Sequence, residues 1–172
     1  SLGTMVANLS AHKAGWDNKW ELFSDWAVKG QAYKEQLLFL VDEDTHAFNK
    51  IIDGFRMPKD TDEEKEARAS AIENATIYAT EIPFKVMETA FQSMEVMQAM
   101  LKDGLQNSLS DAGVGVLCAR TAVIGAYFNV RINAKDIKDR AFAASILAKA
   151  AIIYEQTIAI ENDTIAFIDS KM

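Results

Sequence analysis

One carboxylate stands out of place. Leu37, Val41, Asp44, Phe48, Ile51 and Phe55 follow one another at steps of four and three residues, the spacing that puts side chains on one helix face. Asp44 is the only polar member of that stripe. Withdrawing an ionised carboxylate from water without partners is expensive. The pattern therefore allows a paired, protonated or functional group, or a helix turned so that Asp44 meets water at a boundary. Burial would raise its pKa toward the range useful for general acid–base work at neutral pH, and that is the chemistry to look for here. Beside it, Glu43 and His46 have the Glu-x-x-His spacing of carboxylate-bridged di-iron bundles. Such a centre needs a second motif of the same kind and two more inward glutamates. The only other histidine, His12, has Leu9 three residues before it, and Glu43 and His46 flank the apolar stripe instead of lying in it. No metal centre is expected.

Ser110-Asp111-Ala112-Gly113-Val114 reads as a helix start, with Ser110 as the cap and Asp111 in the first turn, where it complements the helix dipole. Free N–H groups at such a start either are simply capped or hold an anion or a carbonyl oxygen. Farther along, Cys118, Ala122, Gly125 and Asn129 put small residues on one face, which admits a second helix or a flat ligand. Asn129 and Asn133 lie one turn apart and can share a cleft, unless Asn133 falls in the following loop. The cations available to an anionic ligand are Lys13, Arg56, Lys59, Arg120 and Arg131. No Ser-His-Asp arrangement, phosphate loop or dinucleotide fingerprint is present.

Nearly every segment that positions these residues repeats at the helical period. The pattern Leu2, Met5, Val6, Leu9 is running from the first residues with no start signal, which points to missing upstream sequence. A second segment begins near Asp17 and is expected to close at Gly30. A third spans roughly 31–56 and ends at Met57-Pro58, because the residue before proline avoids helical backbone angles. Thr61-Asp62-Glu63-Glu64 is a capping box, opening a helix that stops or kinks near Pro83. The next helix carries Met87, Ala90, Met94, Met97 and Leu101 on its apolar side and closes at Gly104. Its methionines serve either an adaptable binding face or the filling of a core. Two more helices follow, one reaching about Arg131 and one starting near Asp136. The expectation is all-α: a bundle of about six helices. Several look apolar around more than a third of their circumference, as at Ala151-Ile152-Ile153-Tyr154, so a homodimer is expected.

Composition bounds the function. At 172 residues, 49% hydrophobic, the chain reads as one domain, 1–172, with a sizeable core. A net charge of −7 argues against a nucleic-acid surface but leaves room for a local basic pocket. No unbroken apolar run approaches the roughly 18 residues of a membrane span, and the start SLGTMVANLS lacks a secretory pattern. Cys118 is the only cysteine, so no internal disulfide forms. A cytoplasmic protein with no membrane partner is expected.

Four pieces, LVDEDTHAF (40–48), FRMPKDTDEEK (55–65), NSLSDAGVG (107–115) and GAYFNVRIN (125–133), resemble in that order the cyclodeaminase domain of formimidoyltransferase-cyclodeaminase. That family also holds stand-alone formiminotetrahydrofolate cyclodeaminases and methenyltetrahydrofolate cyclohydrolases. The likeness runs from about Met5 to the C-terminus. It implies an all-helical dimer acting on a reduced folate, either alone or joined to a formimidoyltransferase domain in a longer chain. The family's Gly- and Ser-rich stretch upstream of the segment matching Met5 has no counterpart here, so part of the pocket is expected to lie outside this sequence.

The implied reaction closes a ring. The 10-nitrogen of 5-formiminotetrahydrofolate attacks the formimino carbon, and loss of ammonia leaves the 5,10-methenyl cation. A base must take the attacking nitrogen's proton and an acid must supply the departing amine, and one carboxyl group can do both. By residue matching, Asp44 is the family's catalytic acid–base aspartate. Lys13, Ser110, Asp111, Asn129 and Asn133 match folate-binding positions. No metal or redox cofactor is called for.

Overall fold

The computed structural model describes all 172 residues. Five α-helices form: α1 (Leu2–Ala11), α2 (Trp20–Arg56), α3 (Asp62–Asp103), α4 (Leu109–Asn133) and α5 (Arg140–Asp169). The all-α expectation holds, with five helices where the periodicity suggested about six. Two of the expected breaks do not occur.

Gly30 does not end a helix. It is buried in the middle of α2, and a Cβ there would stand 2.5 Å from Thr4 Oγ1. The glycine is a notch that lets α1 lie against α2. The true turn between them is at Gly15, whose φ of +83° suits a residue without a side chain. Pro83 does not end a helix either. It sits buried inside α3, which runs unbroken for 42 residues, about 63 Å at 1.5 Å per residue. Proline lacks the N–H that would bond the carbonyl of Ala79 four residues earlier. The Asn133 side chain, arriving from the end of α4, donates its Nδ2 to that carbonyl at 2.7 Å. The carbonyl is satisfied from outside the helix, and tertiary packing holds α3 together through the proline.

Other boundaries follow local chemistry. Thr61 and Glu64 form both halves of the capping box. Met57 is extended before Pro58, and Gly104 closes α3. The α4 start differs from expectation. Its cap position is Ser108, after a single 3-10 turn, so Ser110 lies inside the first helical turn. The last helix begins at Arg140, four residues past Asp136, because Asp139 accepts from the amides of Ala141 and Phe142.

The core has α3 at its centre. α2 and α4 pack on α3, α5 packs on α4, and the short α1 wedges between α2 and α4 at one end. Met87, Met94, Met97 and Met100 are all buried, so the methionine-rich stretch fills the interior. Ser10 ties the end of α1 down: its hydroxyl donates to Val6 O and accepts from the Leu105 amide. By length and mean hydropathy (1.4 and 1.3) the helical stretches Gln106–Asn133 and Arg140–Asp169 are apolar enough to cross a membrane, though no unbroken apolar run shows it. Their apolar residues are spread around the helix, one side on α3 or on each other and the other side outward.

Candidate functional site

α1 packs between α2 and α4 at one end, and beside its first turn α2, α3 and α4 line a cleft. The cleft holds about 360 Å³. α2 supplies one wall, with Tyr33, Lys34, Leu37, Leu38 and Val41. The floor is α3, at Ala90, Ser93 and Met97. The opposite wall is the small-residue face of α4: Gly115, Cys118, Ala119 and Ala122. Gly115 is required there, since a Cβ would come within 2.7 Å of Met97 Cγ. Of the small-residue face read from the sequence, Cys118 and Ala122 line this opening, while Gly125 and Asn129 lie outside it.

Asp44 lies one helical turn beyond Val41 on the same side of α2. It is exposed, together with Val41, Phe48 and Phe55 of the stripe, and no hydrogen bond or ion pair within the chain engages it. The expectation that this stripe faces the core is thus corrected. The buried side of α2 in this region is Leu40, Ala47 and Gly54, which pack on α3. The helix is turned from the predicted orientation because small residues at 47 and 54 let α2 and α3 approach; an added Cβ on Gly54 would stand 3.0 Å from Ile72. The larger side chains point outward.

Glu43 and His46 hydrogen-bond each other at 3.2 Å. Glu43 also accepts from the Tyr78 hydroxyl on α3. These two bonds, Tyr78 first, hold the Glu43 carboxyl below its ordinary range, and the same contact pushes the Tyr78 phenol up. Lys50 lies 4.1 Å over the Tyr78 ring. The cluster fastens α2 to α3 directly behind Asp44, and no group of three or more metal-ligating side chains occurs in the chain. A second tie has the same form nearer the cleft. Tyr33 donates to Glu95, which also binds Lys29 at 2.7 Å. Burial and then Glu95 push the Tyr33 phenol up to about 12, keeping it a hydrogen-bond donor.

The remaining expected residues separate. Asn129 is exposed on α4, which with α2 flanks the stretch of α3 where Tyr78 meets Glu43 and Ala79 meets Asn133. Asn133 is occupied by Ala79. Asp111 is half-buried one turn before Gly115, and Ser110 is exposed beside it; neither lines the cleft. Lys13 stands at the far end of α1, over the Trp16 ring at 4.1 Å. Arg120 pairs with Glu161 at 2.9 Å, Arg56 faces Asp53, and Arg131 lies over Tyr127. Lys34, which sequence reasoning passed over, is the only charged side chain lining the cleft. Its place at positions 34, 37/38, 41 and 44 of one face was the available signal.

The family model described as formiminotransferase-cyclodeaminase matches residues 1–152. The chain belongs to that family. Among its relatives, the methenyltetrahydrofolate cyclohydrolase of Methylorubrum extorquens is 30% identical over all of this chain and 83% of its own length. The formimidoyltransferase-cyclodeaminase of Mus musculus is 33% identical over 83% of this chain, which matches 26% of that longer protein. The family fold is the fold seen here. The formiminotetrahydrofolate cyclodeaminase of Thermotoga maritima superposes with a TM-score of 0.79, covering 97% of this chain and 81% of that one, at 19% identity.

Proposed function

We propose that this protein converts 5-formiminotetrahydrofolate to 5,10-methenyltetrahydrofolate and ammonia, with Asp44 as the acid–base group. The observation that carries the reading is an unpartnered carboxylate one turn from an apolar cleft, on the same helix face as the cleft wall. Family membership supplies the substrate class. Asp44 takes the proton of the 10-nitrogen as that nitrogen closes on the formimino carbon. It then returns a proton to the amine as ammonia leaves, and its restored negative charge faces the cationic product. The reaction so written needs no metal or redox cofactor. The cytoplasm, where reduced folates are handled, is the proposed location.

A second reading has its own support. The cyclohydrolase relative matches this chain from end to end, whereas the bifunctional relatives match it over about a quarter of their length. On that reading the same carboxylate activates water against the methenyl carbon. One assay separates the two: incubation with 5-formiminotetrahydrofolate, following ammonia and the near-ultraviolet absorbance of the methenyl product. Ammonia release with rising absorbance establishes the cyclodeaminase. Loss of absorbance from added methenyltetrahydrofolate, with no ammonia from the formimino compound, establishes the cyclohydrolase. Turnover of neither rejects both.

The working form proposed is a homodimer. Phe48 (61% exposed) and Phe55 on α2, Phe128 (52% exposed) and Ile132 on α4, and Ile152 on α5 are large apolar side chains left in water by the single chain. A second copy would cover them and withdraw Asp44 from solvent, supplying the burial the single chain lacks. Sedimentation equilibrium should give twice the chain mass; a monomer at tens of micromolar would remove the proposal.

A further inference from the structure

We infer that Tyr78 of α3 is a positioning residue for Asp44: by holding Glu43 it fixes the turn of α2 about its own axis, and so where the next carboxylate stands. The inference rests on the reading of Asp44 as the acid–base group and deepens it. Leu40, Glu43 and Ala47 follow at steps of three and four, so Glu43 lies on the side of α2 that packs on α3. Its side chain is 22% exposed, bonded to a tyrosine that packs against the apolar cluster of Leu40, Ala47, Ala79 and Ile82. An apolar residue would fill this seam without the cost of withdrawing a carboxylate from water. What the carboxylate adds is direction: it accepts from the Tyr78 hydroxyl in a restricted geometry, whereas apolar side chains can slide on one another. The other bond of Glu43, to His46 at 3.2 Å, stays within α2 and leaves the rotation free.

Tyr78 is itself fixed. Lys50 lies 4.1 Å over its ring, and the carbonyl of the next residue, Ala79, is held at 2.7 Å by Asn133 from α4. The rotation of α2 is thus referred to a point on α3 that α4 also grips. Glu43 and Asp44 are adjacent in sequence and about 100° apart around the helix. A side-chain tip stands about 5–6 Å from the axis, so a turn of about 10° moves the Asp44 carboxylate by about 1 Å. Misplacing a catalytic group by that much costs up to roughly 100-fold in rate. Tyr78 and Glu43 act through Asp44, not on the substrate.

The test compares Tyr78→Phe, Glu43→Ala and Glu43→Gln, assayed with whichever of the two folate substrates the wild type turns over. Tyr78→Phe deletes one hydroxyl, and Glu43→Ala deletes its acceptor. Either should lower kcat roughly 10- to 100-fold with KM within about threefold of wild type, the pattern of a misplaced acid–base group. Glu43→Gln keeps an oxygen for the Tyr78 hydroxyl and should stay within a few-fold of wild type. The double variant Tyr78→Phe/Glu43→Ala should be no slower than either single one, since all three lack the same bond. Circular dichroism and the urea midpoint report folding; should Tyr78→Phe not fold, the contrast between Glu43→Ala and Glu43→Gln decides. Wild-type kcat in folded Tyr78→Phe would overturn the inference while leaving the role of Asp44 intact. A Glu43→Gln enzyme as slow as Glu43→Ala would also overturn it, because the charge of Glu43 and not its bond to Tyr78 would then matter. Asp44→Asn is assayed alongside: turnover near wild type there would remove the acid–base reading and this inference together.

Discussion

Asn133→Ala tests the coupling between the proline in α3 and the end of α4. The carbonyl of Ala79 has lost its helical donor to Pro83 and accepts instead from Asn133 Nδ2 at 2.7 Å, in a buried setting (Ala79 is 7% exposed). Truncating Asn133 removes a net hydrogen bond and orphans a buried acceptor, so the cost should be about 1–3 kcal/mol. Pro83→Ala restores an amide at the right place to donate to Ala79. In that background the cost of Asn133→Ala should fall below about 1 kcal/mol. The four proteins of this cycle would be unfolded in urea and followed by circular dichroism, at one protein concentration because association shifts apparent stability. An unchanged cost in both backgrounds would show that Asn133 does not serve the carbonyl freed by the proline.

Two further predictions concern the glycines of α4 and Tyr33 of α2. Gly115→Ala forces a methyl against Met97 and Leu2 and should cost about 1–3 kcal/mol in urea unfolding. Gly125→Ala, where a Cβ meets nothing within 4 Å, should gain about 0.5–1 kcal/mol in the same measurement, and equal effects would refute the packing described. For Tyr33, the folded phenol is raised from its ordinary 10.0 to about 12. Its contribution to stability is therefore fully present below pH 10 and is lost as pH rises toward 12. Tyr33→Phe should flatten the fall in stability over that alkaline window, and an unchanged slope would contradict it.

The helical class, the capping box at Thr61 and the inward run of methionines were legible in the sequence because each depends on local spacing. Gly30 and Pro83 were misread for a common reason. Each breaks helices by intrinsic propensity, and each is held in one by a contact distant in sequence, Thr4 in one case and Asn133 in the other. The orientation of α2 failed differently. Periodicity marked the stripe of larger residues as the inward face, but close approach to α3 selected Leu40, Ala47 and Gly54. Asp44, read as an inward carboxylate, therefore stands on the outward side. Lys34 escaped notice because a lone lysine gives no pattern until α1, α3 and α4 close the cleft around it.

The central claim is that Asp44 moves the protons of the reaction, and Asp44→Asn tests it most directly. The side chain has no partner within the chain, so the helices lose no contact and helicity should stay at the wild-type value. Turnover of the methenyl-forming or methenyl-consuming reaction, whichever the wild type performs, should fall roughly 100-fold or more, the scale of a lost acid–base group. Turnover within a few-fold of wild type, in a folded Asp44→Asn protein, would contradict the account.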